Sequence, residues 1–151
     1  MPPHRWIILG ALSAGLAVIC GAFAAHRLDT QLPKQYAGQT RVVAGETIPA
    51  ARKYLGDFKT AAEYQMFHAL GMIAVGLLPR DRSSKPLDLA GWSFLFGTVL
   101  FSGSLYALVL SGVTQLGMIT PLGGLLFIVG WIAMAVAASG LAHPRAAGAA
   151  L

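Results

Sequence analysis

Charge is what this chain has least of. Only 11% of its 151 residues are charged, six of them acidic, against about a quarter in soluble domains. A soluble fold covers its surface with ionised side chains; this chain has too few to do so, and 56% of it is hydrophobic. One cysteine, Cys20, excludes an internal disulfide and any multi-cysteine metal site. Val18 and Ile19 precede it where a lipoprotein signal needs small residues, so Cys20 reads as a small buried apolar residue. Walker-type phosphate loops, G-x-S-x-G, H-E-x-x-H and a Cys–His pair at catalytic spacing are all missing. The net charge of +5 sits in loops and termini with no interleaved aromatics, which argues against nucleic acid and for anionic lipid headgroups.

What is present is long apolar runs. They cover about residues 6–26, 61–78, 89–110 and 121–142, each near the roughly 20 residues that cross a hydrocarbon core. The expectation is one domain over residues 1–151, an all-α integral membrane protein with a bundle of four transmembrane helices. The Met1–Arg5 start and "AFA" at Ala22–Ala24 also fit a cleaved signal peptide. The length of the run and its Gly and Ala spacing favour a retained span.

The first connection, residues 27–60, is long. Its middle, "YAGQTRVVAGET", has no helical period and reads as loop. From Pro49, Ala51, Tyr54, Leu55, Phe58 and Ala62 fall at three- and four-residue spacing, with Arg52, Lys53, Asp57 and Lys59 opposite. That predicts a short amphipathic surface helix, bent at Gly56, leading into the second span. The turns at 79–88 and 111–120 are short, so the last three spans run antiparallel, with the two turns on opposite sides. Arg80, Arg82 and Lys85 in "PRDRSSKP" favour cytoplasmic termini, although the basic residues of the long loop nearly balance them.

Small residues mark where helices should approach closely: Ser13, Ala17, Gly21 and Ala25 on the first span, Gly103, Ala107 and Ser111 on the third, Ala135 and Ser139 on the fourth. Thr120-Pro121 reads as a hydroxyl cap followed by proline at the first helical position.

The candidate site lies where the second run begins, in "EYQMFHALGM". Tyr64 and His68 are one turn apart and share a face with Gly71 and Val75. Gln65 borders that face, and Glu63 points away from it toward water. His26 ends the first run, so it is expected at the level of His68, with Ser102, Ser104 and Tyr106 of "FSGSLY" as further partners. The plain reading is a structural polar pocket. Two histidines at one depth also suit a metal, haem or quinone, with no third metal ligand in sight.

"GAFAAH", "TAAEYQMFHALGM", "FSGSLYALVL" and "TPLGGLLFIVGW" together resemble the domain-of-unknown-function 423 family, small bacterial inner-membrane proteins similar to eukaryotic transmembrane protein 256. Ala24 stands where the family pattern has glycine. The resemblance runs in order over nearly the whole chain and implies fold and membrane location, not a reaction. The family positions it marks are His26, Tyr64, Gln65, His68, Ser104, Tyr106, Thr120, Pro121, Gly123, Gly124 and Trp131. Three classes of function remain: a non-catalytic scaffold or assembly partner, in a homo-oligomer or with another membrane protein; a haem, metal or quinone binder at His26 and His68; and a small oligomeric transporter or channel. No charged residue at mid-depth and no broken span support the last.

Overall fold

Four long helices carry the chain, and the computed structural model describes residues 1–79 and 85–141 of it. Helix α1, Pro3–Gln35, runs 33 residues with a π-helical turn at Ala24–Leu28. A hairpin follows, β1 Thr40–Val43 and β2 Glu46–Pro49. Helix α2 is Ala50–Leu77, α3 is Lys85–Ser111 with a second π-helical turn at Val99–Gly103, and α4 is Thr120–Leu141. Gly112, in the left-handed conformation at φ 76°, closes α3.

Among the described residues, three helices are long and apolar enough to cross a membrane: α1, α3 and α4 with the 3-10 turn before it. Helix α2 is not among them. At 28 residues it is about 42 Å long, but Glu63, Gln65 and His68 lower its hydropathy. Gln65 and His68 are buried against the other helices, so much of this polarity faces protein. The arginines Arg80 and Arg82, and the end of the fourth run at Ala142, lie outside the described residues.

α1 and α2 pair antiparallel. A Cβ on Gly76 would meet Ile7 and the Pro3 carbonyl, one on Gly10 would meet Ala69 and Ile73, and the Phe23 and Phe58 rings lie 6.0 Å apart. Facing residue numbers therefore sum to about 80. On the other side of α2, Phe94 of α3 fits over Gly71, and Phe94 also reaches Gly130 of α4. Trp6, fully buried, lies on Gly91 and edge-on to Trp92 at 5.4 Å. α1 is thus part of the core.

Three expectations for the first connection need correction. α1 does not stop near residue 26. Charge takes Arg27–Gln35 out of hydrocarbon but does not end a helix, and Leu28, Leu32 and Tyr36 form a four-residue stripe buried with Tyr54 and Phe58. The segment read as loop is a hairpin. Ala44 and Gly45 both take positive φ, 50° and 85°, as a two-residue turn between twisted strands requires. The third concerns only extent: the expected amphipathic helix is present, as the first third of α2, and continues through Gly56 without interruption.

This cap closes over the end of α3. The Tyr36 hydroxyl donates to the Val109 carbonyl at 3.0 Å, and Arg41 Nε donates to Tyr54 Oη at 3.1 Å. Burial, then the neighbouring Tyr54, pushes the Tyr36 phenol above the ordinary tyrosine value, against a smaller opposite pull from Arg41. The hydroxyl's contribution to stability is therefore present in full below the ordinary value near 10 and lost as pH rises beyond it. Tyr36→Phe should lower stability by about 1 kcal/mol at neutral pH and remove that alkaline loss, read by unfolding of the detergent-solubilised protein at pH 7 and above pH 10.

Candidate functional site

The polar residues at the start of the second run and in "FSGSLY" do not form one hydrogen-bonded cluster; they form four separate ties between helices. Gln65 is the first. Its amide nitrogen donates to the Ser13 carbonyl of α1 at 3.0 Å, and its amide oxygen accepts from the Tyr106 hydroxyl of α3 at 2.9 Å. One buried side chain thereby joins three helices. Ser102, in the π-helical turn of α3, donates to the Ala61 carbonyl of α2 at 2.7 Å. Ser104 shares a 2.8 Å hydrogen bond with Thr120 of α4. The Thr120 hydroxyl thus reaches across to α3.

His68 is the fourth tie. Its Nδ1 lies 2.7 Å from the Tyr64 carbonyl, and the indole N–H of Trp131 points at its Nε2 from 3.2 Å. A carbonyl only accepts and an indole only donates. Nδ1 therefore carries the proton, and the lone pair of Nε2 is taken by Trp131. The ring stacks on Phe127 with centroids 3.3 Å apart and planes 7° from parallel, and Phe94 closes another side. A neutral imidazole with both nitrogens engaged has no lone pair left for a metal or haem iron.

His26 is not at this site. Its side chain is exposed in the π-helical turn of α1. Facing numbers that sum to 80 place it beside Tyr54 (80 − 26 = 54), 14 residues from His68 along α2 (68 − 54 = 14), or about 21 Å. The expectation of a shared level assumed that both helices end at the same surface; both run past it. Among the described residues no three His, Cys, Asp or Glu side chains converge on a metal position. Tyr64, on the face expected to point inward, is 39% exposed and stacks on Phe101 at 4.7 Å. With Phe67, Leu125, Ile128 and Trp131 it lines an open apolar groove of about 1000 Å³ between α2 and α4.

The glycines also divide. A Cβ on Gly123 would stand against the Phe101 backbone nitrogen and 2.8 Å from the Gly97 carbonyl, where α3 and α4 touch backbone to backbone, just after Pro121. Gly21 and Gly103 have nothing within 4 Å, and Gly124 meets only Phe101 at 3.9 Å. Gly21, Gly103 and Gly124 therefore make no close helix contact. Beside Gly123, the glycines that do include Gly10, Gly71, Gly76, Gly91, Gly97 and Gly130, each facing a bulky side chain. A small-residue stripe on one helix does not show what lies opposite it, so this signal was readable only with the partner in place.

Gln65→Leu should take the amide acceptor from the half-buried Tyr106 hydroxyl and cost about 2 kcal/mol. Tyr106→Phe in that background should add little, so an unfolding double-mutant cycle should return a coupling of about 1 kcal/mol.

Apolar helices of membrane length, joined by buried side-chain hydrogen bonds and coated outside with Leu, Ile, Val and Phe, define an α-helical multi-pass membrane protein. Residues 20–124 match the family model described as protein of unknown function (DUF423). A UPF0382 membrane protein of Staphylococcus epidermidis is 42% identical over 132 residues, covering 87% of this chain and 93% of the relative. The UPF0382 membrane protein YwdK of Bacillus subtilis is 42% identical over 134 residues, 88% of this chain and 94% of its own. One from Haemophilus influenzae is 38% identical over 133 residues, 87% and 91%. The chain belongs to this bacterial DUF423/UPF0382 membrane protein family. No solved structure matches it.

Proposed function

We propose that this protein is a non-catalytic assembly component of the membrane, with four spans and the hairpin cap on one face of the bilayer. One observation carries the reading: the polar side chains within the bundle spend their hydrogen bonds on one another's helices. Gln65, His68, Ser102, Ser104 and Tyr106 each hold a partner on a neighbouring helix. Thr98 Oγ1 is the buried side-chain atom without one among the described residues. A catalytic or redox site needs a group free to meet substrate, and these groups are engaged in holding helices together. α2 is taken as the fourth span because α1, apolar from Trp6 to Ala25, lies antiparallel along it from Gly76 to Phe58.

The haem, metal or quinone alternative draws support only from the groove between α2 and α4, which His68 and Tyr64 line among mostly apolar side chains. An absorbance spectrum of protein purified from its own membrane in mild detergent, with native gel migration, tests the reading. The expected result is a complex larger than one 15.8 kDa chain and no band beyond aromatic absorption. A stoichiometric haem or quinone, or a bound metal by elemental analysis, would overturn it.

A further inference from the structure

The outward face of α2 sets charge against hydrocarbon. Lys59, Glu63, Phe67, Leu70 and Leu77 follow one another along it at three-, four- and seven-residue spacing, and all are exposed, Phe67 by 51%, Leu70 by 53% and Leu77 by 69%. The pairing with α1 places Glu63 level with Ala17 (80 − 63 = 17), eight residues before the apolar run of α1 ends at Ala25. That is about 12 Å below the end of the run, farther than a glutamate side chain reaches. This register corrects the expectations that Glu63 reaches water and that no charge lies at mid-depth. An ionised carboxylate facing lipid at such a depth is strongly disfavoured unless something pairs with it.

The pairing does not come from within the chain. Nearer the cap, Lys53 and Asp57, four residues apart, close on each other at 2.6 Å. Lys59 and Glu63 have the same spacing, yet among the described residues neither makes a hydrogen bond or ion pair. Two opposite charges, one turn apart, are left pointing outward above a strip of large apolar side chains.

We propose that a second copy of this chain covers this face, with Lys59 of each copy paired to Glu63 of the other. Copies inserted in the same direction and related by a two-fold axis along the membrane normal bring α2 beside α2. Such an interface is isologous, so each contact occurs twice. The vertical offset between Lys59 and Glu63 is four residues, or about 6 Å, within the span of a lysine stem. Lipid tails carry no cation at this depth, whereas a second copy presents one on the same face. Phe67 and Leu70 then meet their counterparts below the charges. The proposal rests on the assembly reading and deepens it by naming the partner.

The test is crosslinking in the native membrane, with Cys20→Ala and Leu70→Cys in an otherwise natural chain and a short bismaleimide. A band at twice 15.8 kDa is expected. Lys59→Glu and Glu63→Lys, each expressed alone, should lower that band about tenfold, because every pair across the interface then repels. Co-expressed under different tags, the two variants should pair with each other at the parent level, since the acidic face of one meets the basic face of the other. Exchange of charges within one chain cannot produce that rescue. Absence of the Leu70→Cys crosslink, which needs no charge variant to fold, overturns the proposal, as does failure of the mixed pair to recover. If the crosslink is absent while the parent still migrates in a larger complex, the pairing fails and the assembly reading stands. A parent that migrates as one chain and gives no crosslink overturns both.

Discussion

Gly123→Ala should destabilise the bundle by about 3 kcal/mol, the upper end of overpacking costs. The added methyl would meet the backbone nitrogen and Cα of Phe101 and the carbonyl of Gly97. Backbone cannot swing aside as a side-chain end can, so α3 and α4 must move apart along their contact. The consequence spreads, because Phe127, one turn along α4, covers Gly97 and stacks on His68. Gly124→Ala, one residue on, places its methyl 3.9 Å from Phe101 and should leave stability within about 0.5 kcal/mol of the parent. Gly21→Ala should likewise be tolerated, since nothing lies within 4 Å of a Cβ at that position. Unfolding in mixed micelles, with all three variants measured beside the parent, decides between close contact and glycine content as the cause.

His68→Ala should cost a similar amount, about 3 kcal/mol. The ring is 4% exposed and lies flat on Phe127, with Phe94 and Trp131 against it. Truncation opens a cavity between α2 and α4, and it strips the indole N–H of Trp131 of its acceptor in surroundings without water. His68→Gln should recover part of the loss, because its amide oxygen can accept from Trp131 while the stack on Phe127 is gone. Unfolding midpoints in mixed micelles measure both variants. A His68→Ala protein as stable as the parent would mean that the imidazole is kept for something other than structure.

Much of the bundle is legible from apolar run length, because hydrocarbon thickness sets a length that the chain must meet. The helical period of Ala51, Tyr54, Leu55, Phe58 and Ala62 likewise places the start of α2. The hairpin was legible too: "RVV" and "ETI" flank a two-residue turn containing Gly45, the usual signal for paired strands. So was the extension of α1, in the spacing of Leu28, Leu32 and Tyr36. Neither signal is decisive alone, because the apolar runs give no sign that α1 and α2 continue past their ends.

The site was legible by residue and not by geometry. Tyr64, Gln65 and His68 stand together in sequence, but one residue of helix rotation, 100°, turns Gln65 to α1 and α3, while Tyr64 and His68, about 40° apart, stay on the α4 side. There His68 is covered by α4 and Tyr64 stays 39% exposed. Which neighbour each meets depends on where α1 and α4 pack, and no local pattern contains that. His26 was misplaced for a related reason. Depth follows from the register between α1 and α2, set by Gly10 and Gly76 receiving Ile73 and Ile7, and not from the position of the first charge.

On the proposed assembly reading, the polar groups within the bundle are closed on one another and hold helices rather than a ligand. Nitrogen NMR of histidine-labelled protein in micelles tests it most directly, because the two ring nitrogens of His68 report their own partners. The account predicts a neutral ring with the proton on Nδ1 and an Nε2 that accepts from Trp131, both unchanged when zinc, haem or a short-chain quinone is added. An Nε2 signal that moves to a metal-bound position, or a tautomer that switches on adding any of the three, would contradict it.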